Sequence, residues 1–360
     1  MTRRTALGGF VLTGCAARRT VTSIPAKPAF GKVQVAEDRV IRTVVGLRPY
    51  RPSGFVVKRE SFGDKALIHN YGHGGGGMTL SWGTSQLAVD LAPEVRQAAV
   101  LGCGGVGLAT ARLLQRRGAQ VTIYTKSLPP ETTSNIAGAQ WWPTSVFNED
   151  KATPAFREQF VAACRHSYRH FQTMLGDYYG VRWIRNYMVS DSPVRNSFIL
   201  GADSPIRDLY PEYADLPDNA TPFERYARRF TTMLIEPSTY LPAVLRDFQL
   251  SGGRVVVGEF DRERLSALSE PAIFNCTGLG AGALFGDPEI GPVKGQLTVL
   301  LPQPEIDYNL LTGGLYMFPR RDGILLGGTW ERGVNDLAPN LEARARVIAG
   351  HKEIFARLGT

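Results

Sequence analysis

The alternation of apolar and polar positions divides the chain into short strands and a few helices, separated by turns rich in glycine and proline. Near the front, Val40-Ile41-Arg42-Thr43-Val44-Val45, Gly54-Phe55-Val56-Val57 and Ala66-Leu67-Ile68 have strand composition, and the last runs into a glycine-dense turn. A helix is predicted over 84–91, stopped by Pro93. Ala98-Ala99-Val100-Leu101 follows, a continuous apolar run of the kind that parallel strands buried on both faces display. From 106 to 117 apolar residues recur at helical spacing, Gly118 closes that helix, and Val121-Thr122-Ile123-Tyr124 reads as the next strand. This is a βαβ unit. Beyond it, 156–179 and 240–248 read as helices, 191–222 as loop, and 252–257 and 272–275 as strands. Period-two alternation in 296–300, 314–318 and 323–326 predicts an antiparallel sheet, and the amphipathic stretch 341–358 a last helix.

The expected class is therefore α/β, a Rossmann-like body joined to a second body with a mixed or antiparallel sheet. With 360 residues, 43% of them hydrophobic, the chain can bury one large core or two moderate ones. The net charge of +8 points to nucleic acid less than its size suggests, because Arg3, Arg4, Arg18 and Arg19 crowd the first twenty residues. No basic run accompanies an aromatic series or a nucleic-acid motif. Cys103, Cys164 and Cys276 lack CxxC spacing or a nearby His cluster, so neither a zinc site nor a disulfide framework is expected. His69 and His73, in the glycine turn rather than on a helix, are not expected to bind metal either.

Cys15 differs. It ends Leu12-Thr13-Gly14-Cys15 after an apolar stretch from 6 to 14 that follows Thr2-Arg3-Arg4, and this resembles a bacterial lipoprotein signal with a twin-arginine start. The resemblance implies lipidation at Cys15, a tether over 20–32, and an exported protein anchored peripherally to the periplasmic or extracytoplasmic face of a membrane. The other reading is an unstructured cytoplasmic extension. No other segment reaches the roughly 18 apolar residues of a spanning helix.

Chemistry enters at Gly102-Cys103-Gly104-Gly105-Val106-Gly107. It fits G-x-G-x-x-G between a strand and a helix, where glycines let a pyrophosphate approach the helix N-terminus. Gly102, Gly104, Gly105, Val106 and Gly107 are thus candidate dinucleotide-binding residues. An acidic residue that grips the adenosine ribose is expected after Tyr124, but Thr125-Lys126-Ser127 stands there. Lys126 would suit the 2′-phosphate of NADP or would lie on the surface, and the loop alone leaves the dinucleotide open.

Thr132-Thr133-Ser134-Asn135-Ile136-Ala137-Gly138-Ala139-Gln140-Trp141-Trp142-Pro143 resembles a segment of the D-amino-acid oxidase family, T-T-[ST]-x-x-A-x-x-x-W-x-P. His69-Asn70-Tyr71-Gly72-His73-Gly74-Gly75-Gly76-Gly77-Met78-Thr79-Leu80-Ser81-Trp82-Gly83 resembles that family's signature over fifteen residues. Arg48 within Val45-Gly46-Leu47-Arg48-Pro49-Tyr50-Arg51-Pro52 and Tyr316 within Tyr316-Met317-Phe318-Pro319 match further motifs, as do Asn275-Cys276-Thr277-Gly278 and Gly327-Gly328-Thr329. The resemblance implies FAD as cofactor, with Thr132, Thr133 and Ser134 at the pyrophosphate, and Gly74, Gly75, Gly76, Gly77, Met78 and Thr79 at the flavin ring and ribityl chain. It also implies Thr277 and Gly278 beside the adenosine. Arg48 and Tyr316 would hold the substrate carboxylate, Arg48 through its bidentate fork, and Tyr308 lies where the family carries a lid tyrosine.

The implied reaction is oxidative deamination of a D-amino acid to a 2-oxo acid, ammonia and hydrogen peroxide, with the Cα hydrogen leaving as hydride to flavin N5 and no protein base. Trp330, at a place where an acidic substrate would need a cation, favours neutral side chains. Oxidation of glycine, sarcosine or D-aspartate, another electron acceptor, an NADP-linked reductase and a non-catalytic lipoprotein of the same fold are the alternatives.

The motif order differs from the family's, in which the phosphate loop comes first and the segments matching Arg48 and 69–83 come last. A circular permutation accounts for this, with the old ends joined through 86–97 and new ends cut before the Val40 strand and after the 341–358 helix. The expected division is a signal and tether over 1–32, a flavin body from 64–140 and 232–290, and a substrate body from 33–63, 141–231 and 291–360.

Overall fold

A computed structural model describes residues 30–358, so Cys15, the signal and most of the tether lie outside the described residues. In chain order the strands are β1 (Val40–Tyr50), β2 (Val56–Phe62), β3 (Lys65–Tyr71), β4 (Gln97–Leu101), β5 (Gln120–Thr125), β6 (Val181–Ser190), β7 (Ala214–Leu216) and β8 (Tyr226–Ile235). They continue with β9 (Arg254–Val257), β10 (Ala272–Asn275), β11 (Gly291–Leu300), β12 (Tyr308–Thr312), β13 (Leu315–Arg320), β14 (Gly323–Gly327) and β15 (Glu331–Arg332). The helices are α1 (Gly77–Asp90), α2 (Gly105–Arg116), α3 (Pro154–Gln172), α4 (Pro237–Leu250), α5 (Arg262–Ser266), α6 (Gly280–Phe285) and α7 (Leu341–Ala356).

Two sheets result. One runs β2-β3-β10-β4-β5-β9, with β3, β10, β4, β5 and β9 parallel and β2 antiparallel at the edge. The other runs β1-β11-β14-β13-β12-β6-β8-β7, and β15 adds to β11. The all-apolar strand residues 98–101 sit at the centre of the first sheet, fully enclosed, because helices and further apolar side chains cover both faces. Helices α1, α2 and α4 pack together beside it.

The βαβ unit forms as its spacing predicts, within one or two residues at each end. Helix α1 does not start at 84 but at Gly77, inside the glycine run. Its periodicity is absent because it is enclosed almost all round, and Gly83 lets α3 cross so closely that a Cβ there would lie 1.8 Å from the Ala163 carbonyl oxygen. Strand β3 extends to Tyr71, so His69 and Asn70 belong to a strand and only His73 sits in the turn. Strand β2, expected with the substrate body, pairs with β3 in the six-stranded sheet. The stretch read as loop carries β7, whose Asp215 pairs at 2.6 Å with the buried Arg228 of β8.

Candidate active site

The two sheets and the N-terminal ends of α1 and α2 enclose a cavity of about 1180 Å³. Both helices start on glycine, and the capping residues Gly76 and Gly104 have no side chain to accept from the first turn. Free N–H groups and the positive end of each helix dipole therefore face a common space, which suits an anionic group. Glycine is needed at the loop itself. A Cβ on Gly102 would lie 2.7 Å from the Cys276 carbonyl oxygen, and one on Gly107 would lie 2.0 Å from the Gly102 oxygen. Ser134 is bound into this region, its hydroxyl accepting from the Gly105 N–H at 2.9 Å.

Of the residues singled out by sequence, Gly102, Gly104, Gly105 and Val106 line the cavity, with Thr132, Thr133, Ser134, Gly74, Gly75, Gly77, Met78, Thr79, Thr277 and Gly278. Gly107 and Gly76 do not: the first lets strand and helix meet, and the second backs onto Val146, which a Cβ would approach to 2.6 Å. Lys126 lines the end where a ribose-side acid was expected. Among the described residues the lining carboxylates are Glu131 and Glu259, on the loops after β5 and β9, positions that no motif marks. The structure thus offers acids near that end from two other loops.

Arg48, on β1, and Tyr316, on β13, also line the cavity. Arg48 Nη1 is shielded from solvent and has no hydrogen-bond partner. A buried guanidinium donor without an acceptor is costly, and it fits an anionic group arriving from the cavity. Room for these two side chains comes from Gly295 and Gly327. A Cβ on Gly295 would lie 2.1 Å from Arg48 Nη1, and one on Gly327, directly opposite Tyr316 in the ladder, would lie 2.0 Å from the Tyr316 ring. Gly327 stands in a motif and Gly295 borders the 296–300 strand, but the sequence gives no sign of what either faces.

Tyr308 is not at the site. It is buried among Phe30, Tyr187 and Phe223, and its hydroxyl donates to the Gly31 carbonyl at 2.7 Å. The strand that carries it points it to the far side of the nine-stranded sheet, where it anchors the start of the described chain. The histidines of the glycine motif also have structural partners. His69 lies 3.0 Å from Glu60 and 3.0 Å from Asn275, whose Oδ1 accepts from the Thr277 N–H and hydroxyl. His73 meets Thr84 at 2.8 Å, and burial pushes its pKa down to about 3, so it is neutral at physiological pH. Burial pushes the Cys103 and Cys276 thiols up to about 12, which removes them as thiolate nucleophiles beside the cavity.

A cavity lined by both a glycine cradle and an unpaired guanidinium is what a dinucleotide and an acid substrate together require. The sequence profile described as FAD dependent oxidoreductase matches residues 18–91 and 97–360. The chain belongs to that family. Among its relatives, a D-amino acid oxidase from Dugesia ryukyuensis is 26% identical over 270 residues, 71% of this chain and 77% of that protein. The D-aspartate oxidase of Homo sapiens is 28% identical over 261 residues, 71% of this chain and 75% of that protein. Iminodiacetate oxidase from Chelativorans sp. BNC1 matches in structure with a TM-score of 0.54 at 18% identity, over 72% of this chain and 79% of that one, a likeness of fold.

The protein is an FAD-dependent oxidoreductase. Membership in this family decides the dinucleotide that Lys126 left open. The residues present fit FAD on structural grounds as well, since the cavity volume, the glycine-capped starts of α1 and α2 and the close backbone approach at Gly102 and Gly107 suit a cofactor with a pyrophosphate.

Proposed function

We propose that the protein oxidises D-amino acids with neutral side chains to 2-oxo acids and ammonia, oxygen being reduced to hydrogen peroxide. The observation that carries this reading is the unpartnered Nη1 of Arg48 in the same cavity as Tyr316. Arg48 binds the substrate carboxylate with two parallel N–H donors, and the Tyr316 hydroxyl adds a third. Fixing the carboxylate fixes which face of Cα meets the cofactor, which is where the preference for one enantiomer arises. Bound FAD supplies the electron acceptor for oxidation at Cα. The chain's own part is orientation and exclusion of water, and no His or Cys at the cavity is set up to take a proton.

Neutral side chains are favoured by charge and lining. Among the described residues the cations lining the cavity are Arg48 and Lys126, and Lys126 stands with the phosphate-loop end. Around Arg48 the walls include Leu297, Leu311, Phe318 and Trp330, so a side-chain carboxylate would find no second partner there.

The test is the visible spectrum of the purified protein and its response to substrate under nitrogen. The flavin absorption is expected to bleach with D-alanine and not with L-alanine. Bleaching by glycine, sarcosine or D-aspartate alone would replace the substrate class. A reduced flavin that air fails to reoxidise would replace oxygen by another acceptor.

The motif order supports a circularly permuted arrangement. Family similarity breaks between 91 and 97, in the short joint between α1 and β4. The region before β1 and the last helix also touch, through Glu37 and Arg344 at 2.5 Å. A chain rearranged to begin at 97 and end at 91, with its present ends linked, is expected to retain FAD and turnover. A rearranged chain that is soluble and folded but colourless would count against this arrangement.

A further inference from the structure

Trp330, which follows the Gly327-Gly328-Thr329 motif, has a specific geometry beside Arg48. The Trp330 ring lies over the Arg48 guanidinium, with Cζ 5.2 Å from the ring centroid, while Gly295 leaves space against the guanidinium that any side chain would fill. Trp330 is 40% exposed and lines the cavity beside Arg48. Its ring is braced edge-on by Tyr50, centroids 5.5 Å apart at 84°, and the Tyr50 hydroxyl donates to Asn148 at 2.5 Å.

The backbone around Trp330 is fixed on both sides. Before it, the Thr329 hydroxyl accepts from the Gln296 N–H at 2.6 Å. After it, Glu331 pairs with Lys294 in the β11–β15 ladder, and the Lys294 ammonium meets Asp336 at 2.6 Å. Both clamps lie on β11, the strand that carries Gly295. One strand therefore sets the open side of the guanidinium and the aromatic cover together.

We propose that Trp330 is a positioning residue for the carboxylate site: its π face holds the Arg48 fork in the one orientation that presents paired donors to the substrate. This inference rests on the reading of Arg48 given above. A guanidinium over an aromatic face is attracted by the ring quadrupole, and the attraction grows as water is excluded. An arginine fixed in this way loses less rotational freedom when the carboxylate arrives, so affinity rises without a new contact to the substrate.

The experiment uses the FAD-loaded protein and benzoate, a carboxylate with no α-hydrogen to lose, read through the flavin absorption. Trp330→Leu, which keeps bulk but has no π face, is expected to weaken benzoate about tenfold and to raise KM for D-alanine by a similar factor, with kcat changed less than about threefold. Trp330→Phe is expected to restore most of both losses while FAD content stays as in the unaltered protein. Unchanged benzoate affinity in Trp330→Leu, with a large loss in Arg48→Ala, overturns the proposal and leaves the carboxylate site standing. Unchanged affinity in both variants overturns the reading of Arg48 and the proposal with it. Equal weakening in the Leu and Phe variants also overturns it, because packing rather than the π face would then be responsible.

Discussion

Arg48→Ala is expected to raise KM for the amino acid about a hundredfold or more, while the purified protein keeps close to its full complement of FAD. A bidentate, charge-assisted pair in a site shielded from water contributes about 3 kcal/mol, and each 1.4 kcal/mol is close to a factor of ten. Arg48→Lys should recover only a small part, since a single ammonium cannot present two parallel donors. The thermal midpoint of the substrate-free protein should change little. Arg48 Nη1 has no internal hydrogen-bond partner to lose, and the substitution removes a buried donor rather than breaking a pair. Steady-state kinetics with flavin absorbance on the same preparation check this, and a KM like that of the unaltered enzyme would remove Arg48 from the site.

Gly107→Val is expected to yield protein without flavin and destabilised by roughly 3 kcal/mol or more. The Cβ would come 2.0 Å from the Gly102 oxygen, and both sides of that contact are backbone, so no side-chain rotation relieves it. The turn must open, and with it the alignment of the α2 N-terminus with the loop that carries Gly104 and Gly105. Gly291→Ala is the matched comparison: nothing lies within 4 Å of its Cβ, and it should keep both colour and stability. Flavin absorbance after reconstitution and a thermal melt are the measurements. A yellow, stable Gly107→Val protein would contradict the account of the loop.

What the sequence made legible was decided by whether one element could report its own environment. Helix α2 and the strands flanking it are read from a single stretch of chain, because Arg112, Gln115 and Arg116, spaced i, i+3 and i+4, mark its less buried side. Helix α1 is wrapped on nearly every side, so its pattern has no polar stripe and its start was misplaced by seven residues. Strand β8 carries Arg228 and Arg229 in its middle and does not read as interior. It becomes interior only because β7 supplies Asp215 to Arg228. The site divides in the same way. Arg48, Tyr316 and the phosphate loop stand in motifs, whereas Gly295 acquires its role from Arg48 on the neighbouring strand, and nothing in the sequence shows that Gly327 and Trp330 face Tyr316 and Arg48. Tyr308 failed for the converse reason: its position along the chain suggested a lid, and strand register turned it towards Phe30 and Phe223.

The β1–β11 ladder has a consequence for how the chain comes into being. Arg48 faces Val293 there, so the strand that opens the nine-stranded sheet finds its partner only after some two thirds of the chain has followed it. At a synthesis rate of about 5–20 residues per second, β1 spends tens of seconds on the nascent chain as an edge without a neighbour. Its sequence suits that wait: Arg42 and Thr43 interrupt the apolar run before Gly46, and Pro49 stands near its end. Arg48 is thus made long before Tyr316, and the carboxylate site is assembled only once β11, β13 and β14 have followed.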